Sequence, residues 1–259
     1  MNHTSRVFLA AVAAAVASTA AIACAPVQTR TVPIPAPASV PPPTGRAAAL
    51  SNDTHWARNS AEHRAIYVEV YRAAGARLAT LIAGHPAETW GVILDADETV
   101  LDNSDYQKSR APFGGTFDAV AWTAWVNEGR APALPGALEF VSLARQLGGR
   151  VVIVTNRDQA QCPITRANLE HLGMITDAVL CKTTTTNKNA RFEAVQRGTA
   201  VSGLAPLTVL EWVGDNIEDF PMLDQNIRYA TEAAYAKFGD TYFALPNAMY
   251  GSWERNPRQ

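Results

Sequence analysis

The sequence has little charge and no concentration of positive charge. Only 18% of the 259 residues are charged and the net charge is −2. Because no dense basic stretch occurs, the chain lacks the electrostatic footprint of a nucleic-acid-binding protein. His63, His85 and His171 do not have the spacing of a zinc site. With 47% hydrophobic residues to form a core, the default is a globular protein with a small soluble ligand.

Long apolar runs are limited to one near the N-terminus. Residues 7–22 are rich in alanine and valine, but the run is short for a membrane span and lacks a stop-transfer flank. We therefore predict a signal peptide over residues 1–23. Residues 21–23 fit ordinary secretory cleavage. Followed by Cys24, they also resemble a bacterial lipobox, although alanine stands where leucine is usual. Acylation of Cys24 is favoured because it gives this cysteine a purpose.

Residues 24–49 form a linker rich in proline, alanine, valine and threonine, which is typical of an extended spacer. The sequence thus predicts an exported outer-membrane lipoprotein that faces the periplasm or the surface. A soluble periplasmic or secreted protein is the alternative. Cys162 and Cys181 form a disulfide in an oxidising compartment or remain buried thiols, and the sequence leaves both open.

Strand and helix patterns alternate from residue 60 onwards. Strands are predicted at residues 90–94, 150–155, 177–181, 207–213 and 241–245, and helices at residues 60–82, 121–128, 137–147, 163–172 and 189–196. Such alternation indicates an α/β, Rossmann-like parallel sheet with helices on both faces, within one domain at 50–259. Residues 103–130 exceed what one crossover needs, so we predict a small, mainly helical cap insertion there.

Two strands end in acidic clusters. The apolar run at residues 90–94 leads directly into Asp95-Ala96-Asp97-Glu98-Thr99, and the run at 207–213 leads into a cluster with Asp215 and Asp219. The carboxyl ends of parallel strands form the crevice where α/β folds bind ligands. Crowded carboxylates are costly there unless a cation compensates them. The pattern predicts a hard-cation site that suits Mg²⁺.

The same residues suit phosphoryl transfer. Side chains two apart in extended chain point the same way, so Asp95 and Asp97 can act together. One attacks phosphorus, and the other protonates the leaving oxygen and later activates water. Thr155, at the end of the second strand, offers a hydroxyl to phosphate. Lys188, or else Lys182, offers an ammonium group that balances the anionic ester.

These motifs, in this order, resemble the haloacid-dehalogenase (HAD) superfamily of phosphatases. They are Asp95-x-Asp97-x-Thr99, Val154-Thr155-Asn156-Arg157, a lysine, and Gly214-Asp215-x-x-x-Asp219. Longer strings resemble bacterial class C acid phosphatases, a family that includes outer-membrane lipoprotein 5′-nucleotidases. These strings are residues 94–104, Trp122-x-x-Trp125-Val126, and Leu245-Pro246-Asn247-Ala248-x-Tyr250-Gly251-x-Trp253-Glu254. The resemblance covers residues 56–254.

The resemblance implies a role for each motif. Asp95 would be the nucleophile and Asp97 the acid and base. Mg²⁺ would be held by the Asp95 side chain, the Asp97 backbone carbonyl and Asp215, with Asp219 nearby or linked through water.

The resemblance also implies the phosphate and substrate contacts. Thr155 and Lys188 would hold the phosphate, since Lys188-x-x-Arg191-Phe192 matches the family string. The implied substrate-binding residues, which include aromatic rings that stack on a base, are Phe117, Trp122, Tyr250 and Asn156. Trp125 is expected in the core. Asp102 and Asn103 either orient the first motif or cap a helix.

The leading hypothesis is a secreted, lipid-anchored, Mg²⁺-dependent acid phosphatase. It would hydrolyse 5′-nucleotides and related phosphate monoesters through an aspartyl-phosphate. One alternative is a nonspecific acid phosphatase for aryl or sugar phosphates, and another is a surface lipoprotein that binds a ligand without catalysis. The resemblance also suggests a homodimer.

Overall fold

The computed structural model describes residues 49–258. The predicted signal peptide, the predicted lipidation site Cys24 and the linker up to residue 48 lie outside the described residues. None of the helices in the described part of the chain combines the length and the apolar character needed to span a bilayer.

A five-stranded parallel sheet forms the centre of the fold, as predicted. The strands are β1 (Trp90–Leu94), β2 (Arg150–Asp158), β3 (Ala178–Lys182), β4 (Thr208–Gly214) and β5 (Tyr242–Ala244). Their order across the sheet is β3-β2-β1-β4-β5, and every neighbouring pair is parallel. The central strand β1 lies between β2 and β4, so the carboxyl ends of these three strands share one edge.

Helices cover both faces of the sheet. Within residues 49–258 they are α1 (Asn52–Asn59), α2 (Ala61–Leu81), α3 (Ser104–Arg110), α4 (Ala119–Glu128), α5 (Ala137–Gln146), α6 (Cys162–His171) and α7 (Asn189–Arg197). Because side chains alternate along a strand, β1 serves two cores. Val92 and Leu94 join one core with side chains of α2, α4, α5 and α6, and Ile93 joins the other with α7.

Helix α2 shows how local sequence sets the fold. Ser60 caps its N-terminus, where the hydroxyl accepts a hydrogen bond from the His63 amide at 3.0 Å. Tyr67, Tyr71, Ala74 and Leu78 recur at helical spacing and form its buried face. The two tyrosine hydroxyls extend past the core to the turn after β1, which ties this helix to the acidic cluster.

Residues 103–130, the insertion segment, contain α3, α4 and a short 3₁₀ turn at Ala111–Phe113. The segment is mainly helical, as predicted. It lies between β1 and β2 in sequence, and its residues form one wall of the cavity at the end of the sheet.

A disulfide joins Cys162 at the start of α6 to Cys181 in β3. Of the two alternatives for these cysteines, the structure has the paired form. The bond fastens an edge strand of the sheet to the helix that packs against it.

Candidate active site

A cavity of about 720 Å³ opens at the carboxyl edge of the sheet. It brings together nine of the predicted site residues: Asp95, Asp97, Phe117, Trp122, Asn156, Lys188, Asp215, Asp219 and Tyr250. Residues from three strand ends, from the insertion segment and from the loop after β5 (residues 245–251, the C-terminal loop) therefore line one cavity, although they are spread over more than half of the sequence.

Three carboxylates converge on the floor of this cavity. Oxygen atoms of Asp95, Asp215 and Asp219 all lie within 4.8 Å of one another. The Lys188 Nζ donates to Asp95 Oδ1 and, at 2.6 Å, to Asp219 Oδ1. Lys188 and Asp219 are almost fully buried. One ammonium group thus faces the buried carboxylates of Asp95 and Asp219 and the half-buried carboxylate of Asp215, and the cluster is short of positive charge.

The pKa values reflect this shortage. Burial raises the pKa of Asp95 to about 7, with Lys188 opposing the rise and Asp219 adding to it. Burial also raises the pKa of Asp215 well above its usual range, and the neighbouring Asp219 and Asp95 raise it further. For Lys188, burial lowers the pKa, but Asp219 and Asp95 outweigh that effect and leave it above its ordinary value. A divalent cation bound by oxygen ligands suits this cluster.

Gly214 makes room for the cluster. A Cβ atom at this position would lie 2.3 Å from the Cβ of Asp219 and 2.4 Å from its Oδ2. Asp219 is held in this place by the Asn216 amide, which donates to Oδ2 at 2.9 Å. Asp215 is fixed by Asn247, whose Nδ2 donates to Oδ2 at 2.8 Å. Both carboxylates are thus oriented before any cation binds.

The turn after β1 is held in an unusual backbone conformation. Glu98 has a φ of 50°, a region that residues other than glycine rarely occupy. Tyr67 Oη donates to the Glu98 carbonyl at 2.5 Å, and Tyr71 Oη donates to the Thr99 carbonyl at 2.8 Å. Helix α2 therefore fixes the loop that carries Asp95 and Asp97.

Asp97 lies apart from the carboxylate cluster and has its own partners. Its Oδ1 accepts from Asn103 Nδ2 at 2.8 Å and from Arg157 Nε at 2.9 Å. Asn103 thus orients the first motif, because its side chain makes no capping hydrogen bond to α3. Its neighbour Asp102 accepts from the Ser104 amide instead, at 2.8 Å.

The two candidate lysines occupy different places. Lys188 contacts Asp95, whereas Lys182 pairs with Asp158 at 2.8 Å on the cavity rim. Thr155 is fully buried, and its Oγ1 accepts from the Arg157 amide at 3.1 Å. Because Asn156 and Arg157 form the cavity wall at this strand end, a phosphate contact by Thr155 stays a prediction.

Aromatic rings line the side of the cavity opposite the sheet. Within the insertion segment, the ring centroids of Tyr106 and Trp122 lie 5.0 Å apart, and those of Phe117 and Trp122 lie 6.4 Å apart. Phe117 is 64% exposed, so its ring is open to a ligand. Tyr250 comes from the C-terminal loop. Trp125, by contrast, is in the core, as expected.

Sequence reasoning gave no role to two arginines that organise the site. Arg157 holds Asp97. Arg191 donates to the Thr155 carbonyl at 2.5 Å and to Asn156 Oδ1 at 2.6 Å, which fixes the C-terminal part of β2. Both arginines fall within the motif strings, next to Asn156 and three residues after Lys188. That adjacency was the signal available in the sequence.

The fold and the carboxylate cluster together define a HAD-type α/β protein. Residues 10–253 match the family described as HAD superfamily, subfamily IIIB (acid phosphatase), and the chain belongs to this family. The predicted superfamily and fold class are confirmed.

Individual relatives agree with this assignment. The chain is similar to the class C acid phosphatase from Bacillus anthracis, with a TM-score of 0.69, 28% identity, and coverage of 78% of this chain and 85% of that one. It is also 30% identical to acid phosphatase 1 of Solanum lycopersicum over 167 residues. This match covers 61% of this chain and 57% of that protein. A stem 28 kDa glycoprotein of Glycine max is 33% identical over 89 residues, 34% of each chain. The chain thus spans about a third to a little over half of the curated relatives' length.

Proposed function

We propose that this protein is a secreted, Mg²⁺-dependent acid phosphatase that hydrolyses 5′-nucleotides and related phosphate monoesters. The observation that carries the proposal is the grouping of Asp95, Asp215 and Asp219 beside the buried Lys188 at the floor of an open cavity. A protein that only bound a ligand would gain nothing from carboxylates that burial and mutual repulsion destabilise.

Asp95, Asp215, Asp219 and the backbone carbonyl of Asp97 would hold Mg²⁺, because hard oxygen donors suit this ion. When bound, the ion supplies positive charge that lets an anionic ester approach a carboxylate and neutralises charge that develops on the phosphoryl group. Lys188 supplies part of the same charge from the protein itself.

In the first step, an Asp95 oxygen attacks phosphorus and the bond to the leaving oxygen breaks. Asp97 gives a proton to that oxygen, so the alcohol leaves neutral. In the second step, Asp97 takes a proton from water as the water oxygen attacks phosphorus, which releases phosphate and restores the Asp95 carboxylate. Thr155 and Lys188 orient the phosphoryl group in both steps.

The aromatic wall supports nucleotides as substrates. Phe117, Trp122 and Tyr250 present rings at the cavity, and stacking on such rings accepts any base because every base has a π-face. Asn156 adds a polar contact from β2 in the same cavity. The Bacillus anthracis class C acid phosphatase has been solved with tungstate bound. Since tungstate is an oxyanion like phosphate, we expect it to bind in the cavity of this protein and to inhibit phosphate release.

We further propose export and attachment to the outer membrane through a lipid on Cys24, with residues 24–49 as the spacer and 50–259 as the catalytic domain. The disulfide between Cys162 and Cys181 supports an oxidising compartment, since disulfides persist there and are rare in the cytosol. Formation of a homodimer belongs to the same proposal.

Turnover of a nucleotide panel by the purified protein tests this function. We expect phosphate release from 5′-nucleotides that EDTA abolishes and Mg²⁺ restores. Asp95→Asn should reduce turnover at least about 10⁴-fold, because the amide is a poor nucleophile, while leaving the circular dichroism spectrum unchanged. Equal activity in EDTA would reject the metal role, and retained activity in Asp95→Asn would reject the nucleophile.

A further inference from the structure

The contacts of Asp97 are concentrated on one of its two oxygens. Oδ1 accepts from Asn103 Nδ2 at 2.8 Å and from Arg157 Nε at 2.9 Å, and Arg157 Nη2 lies 2.8 Å from the same oxygen in an ion pair. Among residues 49–258, no side chain or amide donates to Oδ2, while the Asp97 side chain lines the cavity. The carboxylate thus has one anchored oxygen and one oxygen available to a ligand.

Arg157 is committed to this anchoring. Its side chain is 1% exposed. Besides the hydrogen bond from Nε to Asp97, its Nη1 donates to Thr165 Oγ1 at 3.2 Å and its Nη2 to Asn103 Oδ1 at 3.2 Å. A guanidinium has five N–H donors in a fixed fork, and each of the three nitrogens of Arg157 already donates one hydrogen bond. Because its side chain is also almost completely buried, Arg157 acts on Asp97 and is poorly exposed to phosphate.

Asn103 is fixed from the other side. Its Oδ1 also accepts from Trp125 Nε1 of α4 at 2.8 Å, and its backbone N–H donates to Glu98 Oε1 at 3.0 Å. Asn103 is fully buried. The orientation of Asp97 consequently depends on the insertion segment as well as on β2. Arg157 also contacts the same helix, because its Cζ lies over the Trp122 ring, 5.7 Å from the ring centroid.

We propose that Arg157 and Asn103 are positioning residues that fix Asp97 through Oδ1 and leave Oδ2 as the atom that exchanges protons. This inference rests on the proposed function. Oδ2 gives its proton to the ester oxygen as the phosphorus–oxygen bond of the substrate breaks and the bond to Asp95 forms. Oδ2 then takes a proton from the water that attacks phosphorus. Loss of the anchor leaves both oxygens free to rotate away from the leaving group.

The dependence on the leaving group tests the proposal. Benzyl phosphate and p-nitrophenyl phosphate both carry one ring, but the benzyl alkoxide needs a proton to leave and the nitrophenolate needs almost none. We expect Arg157→Gln to lower kcat/KM about 100-fold for benzyl phosphate and less than about 10-fold for p-nitrophenyl phosphate. Equal losses for the two esters would overturn the positioning role while leaving the phosphatase function intact. A wild-type protein that hydrolyses neither ester would overturn the proposed function instead.

Two further variants separate positioning from general damage. Arg191→Gln changes an arginine that holds the C-terminal part of β2 but does not touch Asp97. It should lower kcat/KM for both esters by the same factor. Trp125→Phe keeps most of the ring and removes only the hydrogen bond to Asn103. It should therefore shift the ratio of kcat/KM for the two esters in the same direction as Arg157→Gln, by a smaller factor. It also supplies the test if Arg157→Gln does not fold. A ratio unchanged in Trp125→Phe and in a folded Arg157→Gln would reject the inference.

Discussion

Glu211 is an acidic residue in the middle of the sheet. It lies opposite Val92 in the register of β4 and β1, is fully buried, and neither of its carboxyl oxygens has a hydrogen-bond partner among the described residues. Burial raises its pKa to about 9, with Arg77 lowering it and Asp240 raising it. The residue is thus a neutral acid at physiological pH.

We expect this neutral acid to make stability fall as pH rises. Below pH 4.5, the ordinary pKa of Glu, both folded and unfolded chains carry the proton. Between that value and about pH 9, the unfolded chain ionises and the folded chain does not. The unfolded state then binds fewer protons, and up to about 3 kcal/mol of the free energy of unfolding is lost by pH 7.

Glu211→Gln should remove that loss. We expect the free energy of unfolding, measured in urea, to change less with pH in the variant than in wild type between pH 5 and pH 8. Glu69→Gln, at an exposed position of α2, is the matched control and should follow the wild-type curve. Identical pH dependence in all three proteins would mean that Glu211 is ionised in the folded state.

Substitution of Tyr250 distinguishes the proposed 5′-nucleotidase from a phosphatase that is indifferent to the leaving group. Its Oη is buried and has no hydrogen-bond partner in the part of the chain that the structure describes. Stacking on a base contributes about 1–3 kcal/mol. We expect Tyr250→Ala to raise KM for 5′-nucleotides about tenfold or more and to leave glycerol phosphate almost unchanged. Tyr250→Phe, which keeps the ring, should retain most nucleotide affinity. Equal effects on both substrate types would favour a nonspecific acid phosphatase.

At the scale of elements, the sequence was sufficient for every strand and for the longer helices. The predicted strand at 90–94 has the observed bounds, because an apolar run ended by acids leaves little freedom. Helix α1 was not predicted, and α3 was predicted only as part of a mainly helical segment, without bounds of its own. Both are short and polar, with one and two buried residues respectively, so neither shows an apolar stripe. Strand β2 extends beyond residue 155 because Asp158 pairs with Lys182 of β3, a contact that depends on tertiary structure.

The site was predictable where it depends on strand ends and not where it depends on side-chain pairing. Asp95, Asp97 and Asp215 follow strands whose order brings them together. The link from Arg157 to Asp97 spans 60 residues, and no local pattern specifies it. The same holds for Asn247, which reaches Asp215 from the C-terminal loop.

The disulfide should stabilise the edge of the sheet. It closes a loop with a sequence separation of 19 residues between Cys162 and Cys181, for which chain-entropy arguments give about 3 kcal/mol. We expect the Cys162→Ser, Cys181→Ser double variant to unfold at lower urea concentration than wild type, and reductant to shift wild type to the same midpoint. Non-reducing peptide mapping establishes that the bond is present. No shift with a mapped bond would contradict the prediction.

At the scale of the whole molecule, metal binding should appear as stability. An ion that binds only the folded state stabilises it by about 2.7 kcal/mol at 100 times its Kd, or roughly 5–10 °C in Tm for a domain of this size. We expect Mg²⁺ to raise the Tm of EDTA-treated protein, and Asp215→Asn to abolish most of that rise.

The control for this measurement is another carboxylate of the same cavity. Asp158 lies on the rim and pairs with Lys182, so Asp158→Asn should keep the full rise in Tm. A rise of equal size in Asp215→Asn would place the ion elsewhere in the protein.

The central position of β1 has a consequence for how the protein matures. The candidate active site lies at the ends of β1, β2 and β4. These ends come together only when widely separated stretches of the chain have paired. Under the proposed function, an incompletely assembled polypeptide therefore has all the necessary amino acids but cannot catalyse hydrolysis. Recovery of turnover after dilution from denaturant will consequently follow the final step of assembly. The rate at which activity returns will therefore measure the rate of that step.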